Sequence, residues 1–428
     1  MSKGLSSMVK KTRSILSNGL PLVVIEIPGS NSLVASLWTK AGARVDPEGK
    51  GGLAHFIEHL LIKKTKNYPS DEELAHVLEK VGAFKNGRTQ KDWLDINISS
   101  SSKDLPLVCK ILAEMIFNPF IDHDGFEAEK KVILQEQARK NSLPDDLVWE
   151  KWYEIFFNPT PLTRPVIGTR GSMQNINLDD ALGFWIKYFK SNNSLLVISG
   201  GVKTRAAQEE AEKFFAQVKI TDANEFPKYK YEDGERIAVE MKDLPRANML
   251  MSFRTPGGHV SKEFYSLLIL KVIMSGGWSS RISRRLRIKE SLVYGWGSSL
   301  KRYLDTGGLI FSLASAKESF PKMLSVFCEE LVSVREKGVQ ESEVALAKGA
   351  IEGALLREVE TSWDYTDWYA YDELYWPSYI ESVDDRIKNV RLVSKENVER
   401  VAKKYLTQNN WHLAIVGDVE EKDIKVDL

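Results

Sequence analysis

His55-Phe56-Ile57-Glu58-His59 is the stretch of this chain whose residue types and spacing can do chemistry. On an α-helix of about 3.6 residues per turn, positions i and i+4 share a face, so His55 and His59 can grip one metal ion with Glu58 beside it. Leu53, Phe56, Ile57 and Leu60 add an apolar stripe of helical period, which predicts a helix through the motif. A hydrolytic zinc ion needs a base within hydrogen-bond reach of its water, and a carboxylate one residue before the second imidazole meets that need. The order His-x-x-Glu-His reverses His-Glu-x-x-His and is the inverted zincin signature. Taken alone, the pentapeptide also reads as an ordinary amphipathic helix with solvated or capped histidines.

A catalytic zinc with one open position takes three protein ligands, so a third must come from elsewhere. Residues 122–136, with Asp122 before the run and Phe126, Val132 and Ile133 along it, read as a capped, charged helix with an apolar edge. Glu129 and Glu136 lie seven residues apart, two turns along one face, and either can turn inward. By itself each reads as a solvated helix charge, since the chain holds 59 acidic residues and most of them must be on the surface.

With these residues in place the sequence resembles the pitrilysin and insulinase zinc peptidases, in particular their short two-domain members similar to mitochondrial processing peptidase. The family pattern is His-x-x-Glu-His followed by a glutamate that closes a Glu-x-x-x-x-x-x-Glu run. The resemblance implies one Zn2+ per chain held by His55, His59 and Glu136, with Glu58 as general base and Glu129 as a carboxylate that orients a ligand. Leu16-Ser17-Asn18-Gly19-Leu20, Lys40-Ala41-Gly42-Ala43-Arg44 and Val166-Ile167-Gly168-Thr169 look like further landmarks, so the likeness covers nearly the whole chain. In the second half, the segment from Ser279 to Tyr294 resembles one in which an arginine and a tyrosine seven apart reach the substrate, here Arg287 and Tyr294. A guanidinium can hold a peptide carbonyl, and a phenol can donate to an oxyanion. Without the resemblance, Arg281, Arg284, Arg285 and Arg287 read as a basic helix in solvent or an anion-binding patch. Asn86-Gly87-Arg88-Thr89 matches a strand beside the zinc where substrate backbone pairs. Asn86 and Thr89 persist, Gly87 is the small residue, and Arg88 fills the variable position, which leaves side-chain preference open.

Lys+Arg 59 against Asp+Glu 59 gives no net charge, so nothing points to nucleic acid or an anionic membrane. Cys109 and Cys328 are too few for a disulfide framework and read as buried small hydrophobes. Residues 1–10 lack the apolar core of a signal peptide and no run approaches a membrane span, so a cytoplasmic enzyme is expected. Early Lys and Ser with no acid before Glu26 hint at a transit peptide, though the family-like region starts near Leu16. The cluster Trp363, Trp368 and Trp376 is assigned no binding role.

A loose repeat bears on architecture. Residues 187–193 run into the strand-like 195–198 and then Gly200-Gly201-Val202, while residues 404–410 run into 413–416 and then Gly417-Asp418-Val419. Two such endings indicate duplicated domains of similar size. The expected fold class is α+β: two homologous domains, each an antiparallel sheet covered by helices, forming half of a clamshell. Residues 1–210 form the catalytic zinc-binding domain, 211–230 the linker, and 231–428 the domain supplying substrate-binding residues. The function expected is a zinc-dependent endopeptidase acting on small or unfolded peptides in an enclosed chamber. A two-domain chain has half the shell of the longer family members, which implies a homodimer. The alternative is a non-catalytic or partner-dependent subunit of a heterodimeric processing peptidase.

Overall fold

The computed structural model describes residues 9–217, 226–231 and 236–428. The first eight residues and residues 218–225 of the expected linker lie outside them. Eleven strands form two sheets among the described residues: β1 (Lys10–Ile15), β2 (Pro21–Glu26), β3 (Ser32–Thr39), β4 (Phe84–Thr89), β5 (Leu94–Ser101) and β6 (Ser194–Gly200) in the first, and β7 (Ile237–Met241), β8 (Arg246–Thr255), β9 (Gly295–Arg302), β10 (Gly307–Ala316) and β11 (Trp411–Gly417) in the second. Their orders are β1-β2-β6-β3-β5-β4 and β7-β11-β8-β10-β9. Read from β2, the first sheet repeats the order of the second, so the chain is a duplicated α+β fold. Each sheet is antiparallel apart from one pair, β2 with β6 and β7 with β11. A parallel neighbour requires a long crossover, and the helices between those strands supply it.

Strand sequence explains the layering. In β3, Leu33, Ala35 and Leu37 alternate with Val34, Ser36 and Trp38; Leu94, Ile96 and Ile98 of β5 share the side of the first set and join one core with Phe56, Ile57, Leu112 and Phe215. Period-two alternation thus buries both faces, one oily and one mixed. Helices Leu53–Leu61, Leu105–Phe117 and Thr204–Phe215 cover the oily face, and helix Ser362–Tyr375 packs on β3 and β6. Residues 211–215, read as linker, continue a helix because Ala207, Ala211 and Phe215 recur every fourth position and are buried. In the second sheet, helix Pro144–Phe156 packs on β7, β8 and β11, with Trp152 Nε1 donating to Ser252 Oγ at 2.7 Å.

The repeat noticed in the sequence is a repeated hydrogen bond. Asn193 Nδ2 donates to Tyr188 O at 2.8 Å ahead of β6, and Asn410 Nδ2 donates to Tyr405 O at 2.8 Å ahead of β11. In both places the amide clamps the end of a helix to the start of a strand.

The compact units are interleaved along the sequence. The described parts of Met1–Gln137, Arg164–Pro227 and Glu358–Ile380 form the first; Ala138–Thr163, Lys228–Arg357 and Glu381–Leu428 form the second. Of the five passages between them, the one at Pro227 falls in the expected linker, while the other four bracket two largely helical excursions, Ala138–Thr163 into the second unit and Glu358–Ile380 into the first. Among the described residues no helix is long and apolar enough to cross a membrane. Cys109 and Cys328 are buried free thiols, and burial pushes each up to about 12.

Candidate metal centre

Helix Leu53–Leu61 carries the two histidines. Nine residues cannot hold a helix in water by themselves. Leu53, Phe56, Ile57, Leu60 and Leu61 are buried, and at about 1.5–3 kcal/mol each that burial supplies on the order of 10 kcal/mol before entropy is counted. Its first turn is fixed by Asp46, whose carboxylate accepts the N–H groups of Gly52 at 2.7 Å and Ala54 at 2.8 Å. Burial pushes the Asp46 carboxyl up to about 7, with these two bonds working against it. Gly52 stands at φ 93°, and a Cβ there would meet Ile167 O at 2.8 Å. Loop 166–169 therefore lies directly on the helix start.

Helix His123–Ser142 brings the glutamates. Asp122 Oδ1 accepts the Gly125 N–H at 2.8 Å, and Phe126 packs on Phe56 with ring centroids 4.6 Å apart. Its buried ridge is Phe126, Glu129, Ile133 and Gln137, and Val132, read as part of the apolar edge, is 39% exposed. Spacings of three and four define that ridge and turn position 132 outward. Glu129 Oε2 lies 3.0 Å from His59 Nδ1, and its other oxygen lies 3.3 Å from Lys63 Nζ. Glu136 Oε2 is 3.9 Å from His55 Nε2 and 3.8 Å from His59 Nε2. Next along the helix, Gln137 Nε2 donates to Ile167 O at 2.9 Å, so one carbonyl faces both the glutamate helix and the start of the histidine helix.

Glu58 lies on the oily side of the sheet against β4. Thr89 Oγ1 donates to Glu58 Oε2 at 2.5 Å, and a Cβ on Gly87 would fall 2.4 Å from Glu58 Cγ. Only a glycine lets the carboxylate lie there. The sequence showed Gly87 and Thr89 as matching positions, while their shared hold on Glu58 was missed; residues two apart on a strand face the same way, which was the available signal. Burial pushes the Glu58 carboxyl up to about 7 against the Thr89 bond and the His59 charge. For His59, burial opposes the charged ring, but the Glu129 hydrogen bond and the Glu136 charge outweigh it and raise its pKa. Glu129 is held below the usual carboxylate range: burial raises it, and the His59 bond and Lys63 more than reverse that.

These donors suit zinc. Ligands about 2.0–2.2 Å from a tetrahedral ion sit roughly 3.3–3.6 Å from one another. The Glu136 oxygen approaches that separation from both imidazoles at once, using the Nε2 atom of each ring. The field that raises His59 also favours a dication between the rings. His55, Glu58 and His59 likewise bring one donor atom each within 4.8 Å of one another, so Glu58 borders the same space. Its bond from Thr89 and its seat on Gly87 set it apart from Glu136, which has no such anchor on β4.

Asn86 is exposed on β4, the edge strand of the first sheet, opposite Asn97 in register. Arg287 and Tyr294 belong to the second unit. Arg287 is exposed on the π-helical turn Ser283–Lys289, with Nη1 donating to Val293 O at 2.9 Å, and Tyr294, 50% exposed, immediately precedes β9. Of the basic residues beside them, Arg281 and Arg284 pair with Glu343 and Arg285 with Glu329.

A histidine helix, a glutamate helix and an edge strand thus meet on one α+β sheet around a candidate metal site. By family model, residues 22–170 match the insulinase family, peptidase family M16, and residues 175–351 match the peptidase M16 inactive domain. The chain belongs to peptidase family M16. It is 29% identical to an uncharacterized zinc protease of Rickettsia bellii over 80% of this chain and 82% of that one. It is 25% identical to the mitochondrial-processing peptidase subunit beta of Lentinula edodes over 95% of this chain and 90% of that one. A protease from Helicobacter pylori has the same fold, with a TM-score of 0.87, 22% identity, and coverage of 95% of this chain and 99% of that one.

Proposed function

We propose that this protein is a zinc-dependent endopeptidase of the cytoplasm that cleaves small or unfolded peptides, with one zinc per chain on His55, His59 and Glu136. The observation that carries the reading is the Glu136 oxygen lying 3.9 and 3.8 Å from the two Nε2 atoms while the Glu58 carboxylate is tethered beside them by Thr89. Zinc at this site supplies Lewis acidity toward a scissile carbonyl and toward water. Glu58 takes the proton of the attacking water and returns it to the leaving amine. Glu129 accepts from His59 Nδ1 and so fixes the ring with Nε2 forward. Asn86 and the free edge of β4 pair with extended substrate backbone. Arg287 holds a substrate carbonyl and Tyr294 donates to the oxyanion; both are supplied by a second copy of the chain in a homodimer that encloses the peptide.

Glu58→Gln tests the chemistry. It should keep zinc and peptide binding while turnover of a fluorogenic peptide falls by roughly two to four orders of magnitude. Near wild-type turnover would remove Glu58 from its role. Likeness to a protein named as a subunit favours a second reading, a partner-dependent or non-catalytic chain. Wild-type protein with zinc bound and no activity on any peptide mixture would select it.

A further inference from the structure

On the face of the first sheet opposite Glu58, the side chain between Gly87 and Thr89 has a different set of partners. Arg88 points away from Glu58 because its two neighbours point toward it. Its Nε and Nη2 donate to the two oxygens of Asp95 at 2.8 and 3.3 Å, and Nη1 and Nη2 donate to those of Asp367 at 3.0 and 2.8 Å. Three indole rings surround the guanidinium, Trp363 at 5.1 Å, Trp38 at 5.4 Å and Trp93 at 5.5 Å. Asp95 is fully buried on β5 and also accepts from Ser36 Oγ at 3.0 Å and Asn97 Nδ2 at 2.7 Å. Asp367 and Trp363 belong to helix Ser362–Tyr375. Among the described residues β4 has one ladder neighbour, β5, which leaves its height above the sheet to be fixed by side chains. A planar fork that makes four hydrogen bonds to two carboxylates, one on the neighbouring strand and one on the covering helix, does so.

We infer that Arg88 is a positioning residue for Glu58: clamped between Asp95 and Asp367 inside the Trp38, Trp93 and Trp363 cage, it holds the edge strand where Gly87 and Thr89 receive the Glu58 carboxylate. The inference rests on Glu58 acting as the base. It also assigns the variable position of the Asn-x-x-Thr stretch to the scaffold rather than to substrate choice, since the fork is spent on two carboxylates of the same chain.

The test compares Arg88→Gln, Arg88→Lys and Asp367→Asn with wild type. Asp367→Asn leaves the buried Arg88–Asp95 pair in place and so guards against simple misfolding. Arg88→Gln should keep one zinc per chain and its KM, lose about tenfold or more in kcat, and exchange the amide hydrogens of residues 86–89 about tenfold faster with those of helix Leu53–Leu61 unchanged. Arg88→Lys restores charge without the fork and should recover part of kcat; Asp367→Asn should show the same pattern in weaker form. In a Thr89→Val background, Arg88→Gln should cost little more, because both act through one contact. Unchanged exchange in residues 86–89, additive losses with Thr89→Val, or a loss confined to KM for acidic peptides would overturn the inference. Wild-type protein that cleaves no peptide would instead overturn the peptidase reading, and the exchange comparison would still decide whether Arg88 fixes the strand.

Discussion

Glu58 is held by geometry that leaves no room for a methyl group. A Cβ on Gly87 would lie 2.4 Å from its Cγ, far inside contact distance. Gly87→Ala should therefore displace the carboxylate and reduce kcat by about tenfold or more, the scale on which a misplaced acid–base group loses effect, with little change in melting temperature. Unaltered kcat would show that Glu58 moves freely without consequence. Glu129 belongs to the same scale. Glu129→Gln keeps shape while removing the charge facing His59 Nδ1 and should weaken zinc affinity by about 10–100-fold in a competitive chelator titration. Equal affinity would reduce Glu129 to a structural partner of Lys63.

The elements around the site were legible to different depths. The histidine helix could be read because its two histidines, Glu58 and its apolar stripe are local in sequence and share one period. Glu129 and Glu136 could not be chosen from 59 acidic residues by composition; only the resemblance singled them out, and burial of the ridge from Phe126 to Gln137 is a tertiary property. The repeated Asn193 and Asn410 clamps were visible as a motif, and the sheets they introduce followed from it. The parallel pairs in both sheets and the cage around Arg88 depend on strand order and on a helix nearly 280 residues downstream, which no local pattern encodes. One element carries a pH dependence. His412 of β11 is pushed down to about 3 by burial, with Arg254 and Arg236 adding to the effect. The unfolded chain protonates this ring near pH 6.5 and the folded chain only near 3, so the unfolded state binds more protons between those values. Stability from the neutral ring is complete above about pH 6.5 and falls as pH drops toward 3. Relative to His412→Gln, wild type should lose up to about 1.4 kcal/mol per pH unit in urea unfolding between pH 6 and 4. Parallel profiles for the two proteins would clear His412 of the role.

For the whole molecule, a homodimer in which each chain completes its partner's site makes a quantitative prediction. Glu58→Gln and Tyr294→Phe should each be impaired as pure dimers. After subunit exchange at equal amounts about half the dimers are mixed, and one of the two sites in each is intact, so roughly a quarter of wild-type activity should return. Confirmed exchange with no recovery would place Tyr294 within its own chain's site or outside the chemistry. The interleaved path has a further consequence, for synthesis. The first sheet needs helix Ser362–Tyr375 to cover β3 and β6, and that helix leaves the ribosome some 160 residues after β6 does. Until then the nascent chain carries a finished set of strands with one bare face that includes the unshielded Asp95 and Trp38. Helix Pro144–Phe156, in turn, emerges before any strand of the sheet it belongs to. Neither half of the gene encodes a folding unit, and a chain truncated before residue 362 should be retained by holding chaperones while the full-length chain releases itself.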